Sequence, residues 1–301
     1  MKFIRSKKGA AHTRGLPSAA RQTEHRTPNT DNRPLSTDHC PLTPRITAML
    51  ELCVGGIDDV LLAQKNNVPR IELNSAIALG GLTPSLALLL QARKAYSGKI
   101  IAMVRPREGD FCYSHAEIQT MLLDAELLVQ HGADGIAIGF LTASGSVDAN
   151  TCLLLRKRLP NTHLVFHRAF DVAACLTTAL SQIIELGFQT ILTSGGCQTA
   201  LAGAPVLQSL NQQAAGKIQI LPAGGIRATN VASVLQLTGC PEIHAAVREI
   251  IEPPPAPHHR SLHFGIPGQS SLSSSRTSAA ALQQLLHAIR SAPPPNTNHS
   301  P

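Results

Sequence analysis

From Leu164 to Asp171 the chain reads LVFHRAFD, an apolar run that ends in His167 and Arg168 and, two residues on, Asp171. An imidazole, a guanidinium and a carboxylate this close together can bind an anion, move a proton or merely decorate a solvated turn. Other apolar runs carry or end in polar groups too: Glu51 and Cys53 in MLELCV, Glu72 and Asn74 in PRIELN, and Arg105, Arg107 and Asp110 in RPREGDF. Further on come Ser194 and Gly195 in TSGG, Gly224 and Gly225 in AGGI, and His244 in EIHAAV. Strand alternation places Glu51 with Cys53, and Glu72 with Asn74, on one face, with Leu or Ile on the other. Buried charges in such runs must be paired or serve a ligand, because leaving them alone is costly. Two readings follow. One is a structural ring of Glu51 and Glu72 against Arg105 and Arg168. The other is a pocket in which Glu51, Glu72, His167 and Asp171 are the candidate catalytic groups, while Arg105, Arg168, Ser194, Gly195, Gly224, Gly225 and His244 hold a ligand. Asp171 either orients the His167 ring or caps the next helix, the commoner task for such a residue. The Gly-Gly turns bring backbone N–H groups where an anion can approach them, although tight turns use glycine as well.

The elements that must position these groups alternate. Short apolar runs at 49–54, 69–74, 99–104, 134–139, 163–167, 189–193, 217–222 and 242–247 are separated by helical patterns, the order expected of βα units around a parallel sheet. Thr83-Pro84 reads as an N-cap and first helical residue, and Ser114-His115-Ala116-Glu117 as a capping box. Gly187 and Gly239 suit helix C-termini. Eight such runs favour a single-domain (β/α)8 TIM barrel over a doubly wound sheet, and no GxGxxG follows the first run. In a barrel the polar residues collected above fall at the carboxyl ends of the strands, where barrel sites are built. After strand eight a Pro- and Ser-rich insertion, about 252–278, breaks the pattern before a last helical stretch at 279–290.

The 301 residues are 43% hydrophobic and 15% charged, enough for one sizeable core. The net charge of +7 is concentrated in the first 45 residues, which hold nine Lys and Arg against Glu24, Asp31 and Asp38. That segment lacks the apolar surface to offset ordering entropy, so 1–46 reads as a disordered basic extension: a plain extension, a product of a misassigned start, or a transit peptide. The near-neutral remainder argues against specific nucleic-acid recognition, and no apolar stretch is long enough for a membrane span. The expected barrel occupies 47–292, followed by a disordered tail at 293–301. Seven cysteines without a CxxC pair fit reduced thiols in a cytoplasmic protein.

The segments LELCVGG, RIELNSAIALGGLTPS, VRPREGDFCYS, FHRAFD, LTSGG and EIHAA stand in the order found in the CutC family of copper homeostasis proteins. The chain resembles that family from about Met49 to Arg248. The resemblance implies a TIM barrel, cytoplasmic and homo-oligomeric (a dimer or larger), with a role in copper handling and Cu(I) as the ion. Family members proposed to bind copper carry cysteines at positions matching Cys53 and Asn74, so the thiol pair is broken here and Cys53 stands alone as the metal residue. Cys112 or Cys197 could replace the missing thiol if either faces the same barrel mouth. The alternative function is an enzyme or binder acting on a small anionic, perhaps phosphorylated, metabolite without copper; a scaffold acting through the basic extension is a third reading.

Overall fold

The computed structural model describes residues 48–252 and 273–293. The expected basic extension, most of the Pro- and Ser-rich insertion and nearly all of the C-terminal tail lie outside them. Eight parallel strands alternate with helices: β1 (Met49–Val54), α1 (Ile57–Lys65), β2 (Arg70–Leu73), α2 (Leu86–Ala95), β3 (Lys99–Met103), α3 (His115–Gln130), β4 (Gly135–Ile138) and α4 (Ala149–Arg158). The second half continues with β5 (His163–Phe166), α5 (Leu176–Glu185), β6 (Thr190–Thr193), α6 (Ala204–Ala214), β7 (Gln219–Pro222), α7 (Val231–Thr238) and β8 (Glu242–Ala245). The hydrogen-bonded order is β7-β6-β5-β4-β3-β2-β1-β8, and β7 lies against β8, which brings the sheet round to a (β/α)8 TIM barrel.

Alternation along the strands divides two cores. Leu50, Leu52, Ile71, Leu73, Ile100, Ile136, Leu164 and Ile191 face the helices in the large outer cluster. Ile101, Met103, Ala137, Val165, Leu192, Leu221 and Ala223 form a separate small cluster inside the barrel. The inner cluster draws only on β3 to β7 and the residue after β7. In phase with it, β8, β1 and β2 turn His244, Glu51, Cys53, Arg70 and Glu72 inward, so the barrel interior is apolar on one side and ionisable on the other.

Local chemistry explains most helix starts. Ser114 and Glu117 form the capping box of α3, and Asp148 caps α4 by accepting from the Thr151 amide. The start read at Thr83-Pro84 is displaced: Ser85 caps α2 by accepting from the Leu88 amide. Thr83 instead pairs with the Arg105 backbone through its amide and its hydroxyl, tying the β2 loop to the end of β3. Gly187 and Gly239 adopt positive φ just beyond α5 and α7, where a side chain would be strained.

The stretch read as irregular after β8 contains a strand. β10 (Ser274–Thr277) pairs antiparallel with β9 (Arg248–Ile251) and leads into α8 (Ala279–Ser291). Buried Asp59 in α1 holds this hairpin to the barrel by accepting from the Gly55 and Thr277 amides and from Arg248 Nη1. Burial opposes a charge on Asp59, but these donors hold its carboxyl below the usual range. Among the described residues no helix is long and apolar enough to cross a membrane.

Candidate functional site

A cavity of about 260 Å³ opens at the carboxyl ends of the strands. Cys53, Glu72, Asn74 and His244 line its ionisable side, Met103, Leu192 and Ala223 its apolar floor, and Arg105, Phe111, His167, Arg168 and Gly224 to Arg227 the rest of its wall.

The ionisable side begins at the bottom of the barrel. Arg70 Nε donates to Glu51 Oε2 at 2.5 Å and its Nη2 to Glu242 Oε2 at 2.6 Å, bridging β8, β1 and β2. The other Glu51 oxygen accepts from His244 Nδ1 at 2.8 Å. Burial works against a charge on Glu51, yet His244 and Arg70 hold its carboxyl below the usual range. Burial alone would depress His244, whereas the neighbouring Glu72 and Glu51 carboxyls and the Cys53 thiol hold the imidazole well above its ordinary value. Burial pushes the Glu72 carboxyl up despite its neighbour His244, and it pushes the Cys53 thiol up as well. His244 Nε2 points away from Glu51 and lies 3.8 Å from Glu72 Oε2. One ligand atom each from Cys53, Glu72 and His244 therefore falls within 4.8 Å of the other two, all buried.

Asn74 stands beside this triad. Its Nδ2 donates to Glu72 Oε2 at 2.9 Å and lies 3.4 Å from Cys53 Sγ. The substitution of amide for thiol is thus structural: Asn74 holds Glu72 and fills the position next to the sulfur. Neither Cys112 nor Cys197 lines the cavity, so among the described residues neither supplies a second thiol there.

The expected ring of Glu51 and Glu72 against Arg105 and Arg168 is not formed. The partner of Glu51 is Arg70, that of Arg168 is Asp171, and Arg105 donates to the carbonyls of Leu79, Gly81 and Gly109. Arg70 and Glu242 were not singled out in the sequence, although each lies in phase with an inward residue of its own strand, Glu72 and His244. Arg107, on the same loop as Arg105, pairs outside the cavity with Glu117 and Asp110.

LVFHRAFD divides its tasks. His167 follows β5, is buried, and accepts the Ala169 amide at Nδ1, which leaves the proton on Nε2. Burial and the Arg105 charge bring its pKa down to about 3, so the ring is a neutral N–H donor. Asp171 neither caps α5 nor contacts the His167 ring. It lies within the 3-10 turn Arg168–Val172 and accepts from Arg168 Nε at 2.7 Å, Thr193 Oγ1 at 2.5 Å, the Ser194 amide at 2.9 Å and the Gly196 amide at 3.1 Å. The Gly195 amide is taken by Thr193 Oγ1. The Ser194-Gly195 loop therefore has its N–H groups satisfied internally and does not present them to an anion. Gly224 and Gly225 differ: both have positive φ, both line the cavity, and their amides have no acceptor among the described residues.

Comparison with known proteins places this geometry. The CutC family model matches residues 48–249. A CutC protein of Treponema denticola is 43% identical over 216 residues, covering 72% of this chain and 88% of that one. The human protein named copper homeostasis protein cutC homolog is 37% identical over 200 residues, covering 66% and 73%. The crystal structure of CutC from Streptococcus agalactiae superposes with a TM-score of 0.63 at 28% identity, covering 65% of this chain and 97% of that one.

Proposed function

Because the chain belongs to the CutC family, we propose that it takes part in copper homeostasis and holds a single Cu(I) between Cys53 and His244, with Glu72 alongside. The observation that carries this reading is the buried approach of one sulfur, one imidazole nitrogen and one carboxylate oxygen within 4.8 Å of one another. Cu(I) is soft and favours thiolate, with imidazole as a suitable second ligand. Glu51 supports that role by holding Nδ1 of His244, which orients Nε2 toward the other two donors. Asn74 leaves this chain with one thiol where copper-binding members of the family are expected to have two, so His244 takes the place of the second sulfur.

The protonation states set the conditions for binding. Both the Cys53 thiol and the His244 imidazolium must release a proton before they can ligate, and both are held above their ordinary values. Affinity therefore rises with pH. Anaerobic titration of the full chain against a chromophoric Cu(I) competitor is expected to show one bound equivalent, lost in Cys53→Ser and weakened in His244→Ala. Absence of stoichiometric binding by the folded protein would rule out direct copper binding. The same family membership supports a cytoplasmic homo-oligomer as the working form, which sedimentation of the purified chain tests.

A further inference from the structure

A metal ion at Cys53 leaves most of the cavity unexplained. Its volume of about 260 Å³ is several times a water molecule's share of the liquid, about 30 Å³, so it has room for a molecule beyond a bare ion. Four buried side-chain atoms with no hydrogen-bond partner among the described residues belong to residues that line it: Glu72 Oε1, Asn74 Oδ1, Arg105 Nε and His167 Nε2. Orphaned buried polar atoms are rare in folded proteins. Four around one cavity point to an occupant with polar atoms of its own.

The charge of that occupant follows from the wall. Arg105 is buried, 7% exposed, yet no carboxylate among the described residues pairs with it; its hydrogen bonds go to three backbone carbonyls. An isolated buried cation is strongly disfavoured unless a counter-charge arrives. Arg168 is fixed by Asp171 and by Ser194 Oγ through Nε and Nη2, and its Nη1 is turned toward Gly224. Arg227 lines the same opening and forms no ion pair among the described residues. The unpaired amides of Gly224 and Gly225 lie beside these two arginines, and the neutral His167 ring offers one more N–H. The only carboxyl in the lining, Glu72, lies across the barrel on β2.

We infer that the mouth of this barrel is a binding site for a small organic oxyanion, a carboxylate or phosphate ester, held by Arg105, Arg168, Arg227 and the Gly224-Gly225 amides, with His167 donating to it from Nε2. The site stands independently of copper at Cys53 and uses the other side of the cavity.

The test is calorimetric titration of the full chain, free of metal and in chloride buffer, with inorganic phosphate and with malonate as separate probes. At least one is expected to bind saturably, and which one does distinguishes phosphate from carboxylate recognition. Arg105→Met is expected to weaken binding at least tenfold and Arg227→Ala severalfold, while Arg290→Ala, in the last turn of α8, changes nothing. If Arg105→Met does not fold, the exposed Arg227 variant decides. Absence of binding by both probes, or binding equally tight in folded Arg105→Met and Arg227→Ala, overturns the assignment. Neither result bears on the Cu(I) titration, because no metal is present.

Discussion

Restoring the second thiol, by Asn74→Cys, separates the two jobs that position 74 does. In the metal-free protein the change removes the donor to Glu72 Oε2 at 2.9 Å, and the other oxygen of that carboxyl already has no partner. Stranding a buried acceptor costs about 1–3 kcal/mol. For a domain of roughly 200 residues, that lowers the melting temperature by about 2–12 °C. With Cu(I) the sign reverses. Asn74 Nδ2 lies 3.4 Å from Cys53 Sγ, so a sulfur at position 74 falls within reach of an ion on Cys53. Exchanging a non-ligand for a thiolate is expected to tighten Cu(I) at least tenfold, which is about 1.4 kcal/mol. Thermal unfolding under reductant, with and without one equivalent of Cu(I), reads both effects, and competitor titration reads the affinity directly. The variant should melt below the parent without copper and gain more than the parent when copper is added. A metal-free variant at least as stable as the parent would refute the role given to Asn74 in holding Glu72. Unchanged Cu(I) affinity would refute the placement of the ion beside Cys53.

Two further outcomes test the supports of the site. Asp171→Asn replaces a charged acceptor of Arg168 and of the Thr193–Gly196 loop, where hydrogen bonds to a charged group contribute about 1.5–3 kcal/mol; a denaturation midpoint equal to the parent's would contradict the anchoring role. Asp59→Asn should cost about 3 kcal/mol at neutral pH by leaving Arg248 without its buried partner. Because the folded carboxyl of Asp59 sits below its unfolded value of 3.8, its contribution is present above that pH and is lost as the pH falls through the folded value. The acid limb of the variant's stability curve should accordingly be shallower, and urea titrations from pH 7 down to pH 3 would show parallel limbs if the argument is mistaken.

Some of the site was open to reading from order and phase alone. A polar residue in step with the inward face of a strand is placed by the two-residue repeat, which is why Glu51, Cys53, Glu72 and His244 face the barrel interior together. The same repeat extends to Arg70 and Glu242, which escaped notice because they begin their strands rather than end them. The Ser194-Gly195 turn was legible as a turn but not as a closed one: its amides are consumed by Asp171, which comes from the preceding βα unit. Likewise Thr83-Pro84 resembles a helix start, and only the carboxyl end of β3, lying beside it, turns the Thr83 hydroxyl to another task.

The amino-acid sequence by itself determined the alternation of strands and helices, the number of strands, and which side chains face inward, because these depend on short-range periodicity. Only the tertiary structure decided which inward groups are neighbours. Curling the sheet until β8 pairs with β1 sets His244 against Glu51, separated by 193 residues, and lets Arg70 reach Glu242. The same closure leaves Arg105 buried without a carboxylate and gives Asp171 a loop to hold instead of a helix to cap. Partnership depends on distance across the barrel, and local pattern carries no measure of that distance.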